Sequence, residues 1–158
     1  MAVMELAEII KTLKPGSRLM GLDLGSKTVG LALSDVTRII ASPLETIKRS
    51  KFTADAQMLE SLIDAHNVGG LILGLPVSMD GSEGPRCQST RQFATNLLAR
   101  RDIALSFWDE RLSTAAVERV LIGQADMTRK RRAEVVDKAA AAYILQGALD
   151  AIARTPGQ

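Results

Sequence analysis

Hydrophobic residues recur at helical spacing in some stretches of this chain and gather into short continuous runs in others, and the changes between the two patterns mark its elements. Val3, Leu6, Ile10 and Leu13 fall on one helical face with Glu5, Glu8 and Lys11 between them, and Pro15-Gly16 stops the pattern, so an amphipathic helix is expected within residues 1–14. Arg18 to Leu24 and Thr28 to Asp35 read as two apolar strands joined by the short turn Gly25-Ser26-Lys27, a hairpin. A third strand is expected at about Ile39 to Ile47, where Pro43 restricts it to a broken or edge position. Phe52, Ala56, Leu59 and Ile63 then share a helical face, with Thr53 as the expected N-cap and Asn67 as the end.

Gly69 to Leu75 is nearly all apolar, the mark of a strand covered on both faces. The alternation continues with a helix over Ser82 to Arg101, a buried strand over Ile103 to Trp108, a short helix over Ser113 to Ile122 and a long alanine-rich helix over Glu134 to Ala153. An antiparallel opening followed by alternating helices and strands predicts an α/β fold, a mixed five-stranded sheet with three antiparallel and then parallel strands and helices on both faces. Without an internal repeat or interdomain linker, residues 1–158 are expected to form one domain, and 123–132 a flexible basic loop.

Composition narrows the setting. An apolar fraction of 46% with 24% charged residues is that of a soluble globular chain, and no run approaches a membrane span. The segment Met1 to Lys14 lacks the features of a secretory signal, and the single cysteine, Cys87, allows neither an internal disulfide nor a thiolate zinc cluster. A cytoplasmic location is the resulting expectation. The net charge of +2 does not by itself imply a nucleic-acid partner, so the placement of charge has to carry that question.

Three acids stand where acids are costly. Alternation in the first strand puts Leu19, Gly21 and Asp23 on one face, so Asp23 is a carboxylate in a core strand. Asp109-Glu110-Arg111 follows an apolar strand, at the end where open α/β sheets bind ligands. In the last helix Asp137 shares the apolar stripe of Ala140, Ala141, Ile144, Leu145 and Ala148. Burying an unpaired carboxylate costs several kcal/mol, roughly, and three together repel; divalent cations remove both penalties, and an all-oxygen donor set suits Mg²⁺ or Mn²⁺. A pair of such ions about 3.5–4 Å apart would activate water and stabilise the leaving oxygen of an in-line phosphodiester displacement. The plainer alternatives are that Asp109 caps the next helix and Glu110 pairs with Arg111.

The residues also resemble a known family. Gly21-Leu22-Asp23-Leu24-Gly25 with Val29-Gly30-Leu31-Ala32, Gly74-Leu75-Pro76 with Met79-Asp80-Gly81-Ser82-Glu83-Gly84, Asp109-Glu110-Arg111-Leu112-Ser113-Thr114, and Asp137-Lys138-Ala139-Ala140 with Ile144-Leu145-Gln146 together resemble the YqgF/RuvX family from about Arg18 to Leu149. The resemblance implies an RNase H-like fold and a bacterial cytoplasmic nuclease whose acids match Asp23, Glu110 and Asp137. It implies two competing substrates, pre-16S rRNA at its 5′ end and the Holliday junction.

Around these acids the sequence offers phosphate contacts. The segment Gly74 to Gly84 leaves a strand and is read as entering a helix near Ser82, where backbone N–H groups could receive a phosphate, and Arg129-Lys130-Arg131-Arg132 precedes the helix that bears Asp137. Lys27 and Arg111 are further candidates. Aromatic residues are only 3%, so recognition by backbone and shape is expected rather than base stacking. His66 reads as a C-terminal helix cap, and neither it nor Cys87 is assigned chemistry. With the resemblance, the implied partner is nucleic acid, pre-rRNA or branched DNA, and a monomer or homodimer is expected to bind it. An actin-like ATPase needs two related domains, which this length does not hold. A non-catalytic rRNA-binding assembly factor is the remaining alternative.

Overall fold

The computed structural model describes residues 3–112 and 129–154, and of 129–136 the backbone only. The elements are α1 (Leu6–Thr12), β1 (Arg18–Leu24), β2 (Thr28–Ser34), β3 (Ala41–Lys48), α2 (Phe52–Ala65), β4 (Val68–Leu75), α3 (Pro85–Arg100), β5 (Ala104–Asp109), a single 3₁₀ turn (Glu110–Leu112) and α4 (Arg129–Ala153). The five strands form one sheet in the order β3-β2-β1-β4-β5. β1, β2 and β3 pair antiparallel, and β4 and β5 add parallel to β1. This is the mixed sheet that the apolar pattern predicts.

Pleating sends alternate residues of β1 to two cores. Met20, Leu22 and Leu24 join Leu71, Leu73 and Leu105 beneath α2 and α3, which contribute Ala56, Leu59, Ile63, Phe93, Ala94 and Leu97. On the other face Leu19, Ala32 and Ile72 meet Ala141, Ile144, Leu145, Ala148 and Leu149 of α4. Small residues let α4 lie close to the sheet: a Cβ on Gly21 would stand 2.8 Å from the Leu145 Cβ and 2.9 Å from the Ala141 carbonyl. Gln146 ties the helix to the edge strand, accepting from the Ala41 amide at 2.8 Å and donating to the Ile39 carbonyl at 2.9 Å. β3 is that edge strand, where a residue without an amide hydrogen is tolerated, and its register with β2 shifts between Glu45 and Pro43.

Several element ends differ from the sequence reading, each for a local reason. Val3 is not helical; it bridges to Leu105, the Met4 amide donates to the Leu105 carbonyl, and α1 starts only at Leu6. Thr53 lies inside the first turn of α2, and it is Asp55 that reaches back to the Ser50 amide at 3.0 Å. His66 is the C-cap of α2, followed by Asn67 in the left-handed region at φ 54°. α3 begins at Pro85 rather than Ser82, with Gly84 as N-cap; the fixed φ of proline suits the first helical position. α4 starts at Arg129, so 129–132 form its first turn and are not loop; residues 113–128, including the helix expected over Ser113 to Ile122 and most of the loop 123–132, lie outside the described residues.

The β2–β3 connection carries an acid-sensitive clamp. The Asp35 carboxylate accepts from the Thr37 hydroxyl and from the Ile39 and Ile40 amides at 2.8 and 3.0 Å, and these donors, Thr37 first, lower its pKa to about 2. A depressed carboxyl adds stability that is complete above the ordinary carboxylate range and drains away as pH falls through its folded value. Acid unfolding should therefore be less steep between about pH 4 and pH 2 in Asp35→Asn than in the parent, read by circular dichroism.

Candidate functional site

Asp23 is the penultimate residue of β1 and is only 5% exposed, on the face covered by α4. Its neighbours on both sides are glycines. On β2 its antiparallel partner is Gly30. On β4, where Leu22 is in register with Leu73, the next position is Gly74. Neither glycine has a positive φ, so what they supply is space.

Each space admits a segment that carries one of the other acids. A Cβ on Gly30 would collide with the Asp137 carbonyl and lie 3.0 Å from the Lys138 amide, so α4 enters the fold directly above Gly30. A Cβ on Gly74 would lie 3.1 Å from Glu110 Oε1 and 2.5 Å from the Ile144 Cδ1. Glu110 opens the turn after β5, in which Trp108 is in register with Gly74. Asp137 above β2 and Glu110 above β4 thus flank Asp23 on β1. Adjacent strands lie about 4.8 Å apart, so the two outer positions are separated by about 10 Å across the sheet.

Asp137 is half-buried and its Oδ2 accepts from the Thr28 hydroxyl, which fixes the carboxylate against the first residue of β2. Among the described residues no group of three or more His, Cys, Asp or Glu side chains stands closed as a metal-holding set. The chain brings the three positions to one corner of the sheet while Asp137 is engaged by Thr28.

The neighbouring cationic candidates separate into kinds. Arg111 pairs with Asp109 at 2.6 Å, and its Nη1 donates to the Met79 carbonyl, pinning the 76–84 loop to the end of β5. The pairing holds the Asp109 carboxyl below its ordinary range and raises the Arg111 guanidinium. Both side chains are partly exposed, so solvent screens the pair and it adds little to stability. Arg111→Ala should accordingly move the melting temperature little and instead speed amide exchange over Met79 to Gly84, measured by hydrogen–deuterium exchange. Ser82 is exposed and bonded to Asp80, through its hydroxyl at 2.6 Å and its amide at 2.9 Å, in a turn that closes before α3. Lys27 is exposed at the β1–β2 turn. Arg129, Lys130, Arg131 and Arg132 lie in α4 one to two turns before Asp137, and their side chains lie outside the described residues.

Sequence reasoning did not single out Thr28, Gly30 or Gly74 as the floor of the corner. A signal for the glycines was present, since a glycine inside an apolar strand often marks close approach of another backbone.

A mixed sheet in this order, with helices on both faces, is the RNase H-like fold. It superposes on the Thermus thermophilus RuvC in complex with a Holliday junction substrate with a TM-score of 0.55 at 12% identity, covering 88% of this chain and 97% of that one. The yeast mitochondrial Holliday junction resolvase Ydc2 gives 0.53 at 13% identity, covering 94% and 84%. The chain belongs to the RuvX family, whose model, described as Holliday junction resolvase, matches residues 17–151. A relative from Paramagnetospirillum magneticum, named "Putative pre-16S rRNA nuclease", is 63% identical over 95% of this chain and 96% of its own length. One from Rhodospirillum rubrum with the same name is 62% identical over 98% and 96%. Among the described residues no helix is long and apolar enough to cross a membrane.

Proposed function

We propose that this protein is a cytoplasmic endonuclease that hydrolyses phosphodiester bonds in structured RNA at the 5′ end of pre-16S rRNA, with Asp23, Glu110 and Asp137 as its metal-holding carboxylates. The observation that carries the reading is the pair of glycines, Gly30 and Gly74, that seat Asp137 and Glu110 on either side of buried Asp23. The names of relatives at 62–63% identity support RNA as the substrate.

The donor set fits a hard divalent ion, Mg²⁺ or Mn²⁺: every candidate ligand is a carboxylate oxygen. Bound there, most simply as a pair, such ions supply Lewis acidity at phosphorus and a water of lowered pKa. The protein's own groups do the positioning. Asp23 is fixed by the central strand, and Asp137 is steered by the Thr28 hydroxyl. Arg111, locked to Asp109, holds the 76–84 loop beside Glu110. Lys27, Ser82, Arg111 and the basic turn 129–132 border the corner as contacts to the backbone of the bound strand.

A pre-rRNA leader fragment and a synthetic four-way DNA junction, offered to one preparation with Mg²⁺ or Mn²⁺, test the reading. Cutting of the leader by the parent and not by Asp23→Asn or Asp137→Asn is the expected result. Cutting of the junction alone would reassign the protein as a resolvase, whose two coordinated cuts call for a dimer. Binding without any cutting would make it an assembly factor.

A further inference from the structure

A second basic site lies on the other side of the β1–β2 turn. Leu24, Gly25 and Ser26 line a cleft of about 400 Å³ together with Arg49, just past β3, and Pro85, Arg86, Ser89 and Thr90 of α3. Among the described residues that line it, two are arginines and none is acidic. Both guanidiniums are anchored on the turn itself. Arg49 Nη1 donates to the Gly25 carbonyl at 2.6 Å and the group lies 5.8 Å from the Phe93 ring centre, while Arg86 Nη2 reaches the Leu24 carbonyl at 3.5 Å. A guanidinium carries five N–H donors, so most of each fork remains available to an acceptor. The hydroxyls of Ser26 and Ser89 add exposed donors beside them.

Two neighbouring residues of β1 connect this cleft to the carboxylate corner. The Leu24 side chain points to the α2 and α3 side of the sheet, while Asp23, one residue earlier, lies on the α4 side. Between the two faces stands the exposed turn with Lys27, whose carbonyl accepts from the Arg49 amide at 2.8 Å. We infer that the cleft between Arg49 and Arg86 holds a backbone phosphate of the substrate strand after that strand crosses the turn, a few nucleotides from the bond to be cut. The inference rests on the nuclease reading and adds to it a second anchoring point. Planar, bidentate donors suit a phosphodiester, and a phosphate contact positions the strand without reading its bases.

The test uses the full chain carrying Asp23→Asn, so that nothing is cut, and measures affinity for the leader RNA and for the DNA junction over a range of salt. Arg49→Gln and Arg86→Gln are each expected to weaken binding several-fold and to reduce the slope of log affinity against log salt, together by about 0.7 to 0.9 for the one phosphate they share. Arg49→Lys and Arg86→Lys keep the charge and should keep the slope, which a merely structural role of the arginines would not predict. Amide resonances of Gly25, Ser26 and Ser89 should shift on adding the probe. An unchanged slope in both glutamine variants, or stationary resonances at those three positions, overturns the inference; if the glutamine variants do not fold, the lysine variants and the resonances decide. The probe that gives the larger loss identifies whether the phosphate belongs to RNA or DNA. Parallel cleavage by the protein with Asp23 intact separates the two ideas, because normal cutting with an unchanged slope rejects only the cleft, whereas a shifted slope without cutting rejects only the nuclease.

Discussion

Asp23→Asn should abolish cleavage and, in the same protein, abolish the stabilisation that divalent ions confer. Asparagine keeps the shape of the side chain and one oxygen in a position only 5% exposed, so the strand and its contacts persist while the charge that a metal needs is lost. The rate should fall at least a hundredfold, equivalent to about 2.7 kcal/mol of barrier. A ligand that binds only the folded protein stabilises it by about 2.7 kcal/mol at one hundred times its dissociation constant. The melting temperature of the parent should therefore climb with Mg²⁺ or Mn²⁺ while that of Asp23→Asn stays flat. Equal upward shifts in both proteins would show that the ion binds elsewhere, and the carboxylate corner would lose its role. Comparing the two readouts matters, since a catalytic defect alone could come from a misplaced substrate.

What made Asp23 legible in the sequence is the strictness of the pleat. With a side-chain period of two, placing Met20, Leu22 and Leu24 in one core leaves Asp23 facing the other, and the structure has this arrangement. The stripe of α4 was legible for the same kind of reason, with Ala140, Ala141, Ile144, Leu145 and Ala148 all buried against the sheet. The features that escaped depend on partners distant in sequence. Val3 has helical spacing but pairs with Leu105, and only the assembled edge of β5 offers that alternative. Ser82 has the chemistry of an N-cap, yet Asp80 two residues away takes both its amide and its hydroxyl, leaving Pro85 to open α3. Arg49 and Arg86 lie in unrelated stretches and share a cleft only because α3 starts beside the β1–β2 turn. The burial of Asp23, among these candidate acids, was legible because burial is written in local periodicity. The floor they stand on was not, because it depends on which strands become neighbours.

Gly30→Ala should be the most disruptive single methyl in the described part of the molecule. The added Cβ would collide with the main chain of α4 at Asp137, and a helix backbone cannot rotate aside as a side-chain tip can. Overpacking a core ordinarily costs 1–3 kcal/mol, and a backbone obstacle places this case at about 3 kcal/mol, a loss of roughly 6–12 °C in melting temperature for a chain of this size. Whatever relieves the collision also lifts Asp137 away from Thr28 and Asp23, and a misplacement of about 1 Å can cost a hundredfold in rate. Gly74→Ala makes the informative contrast. There the new methyl meets the Ile144 Cδ1 and the Glu110 side chain, both of which can move, so stability should fall less while cleavage falls comparably. Gly84→Ala, with nothing within 4 Å of the new carbon, meets no steric obstacle and should cost only what alanine loses to glycine as the N-cap of α3, about 1 kcal/mol or less. Should Gly30→Ala melt within about 2 °C of the parent, less than 1 kcal/mol on the same scale, α4 would not be seated on β2 as described, and the juxtaposition of Asp137 with Asp23 would fall with it.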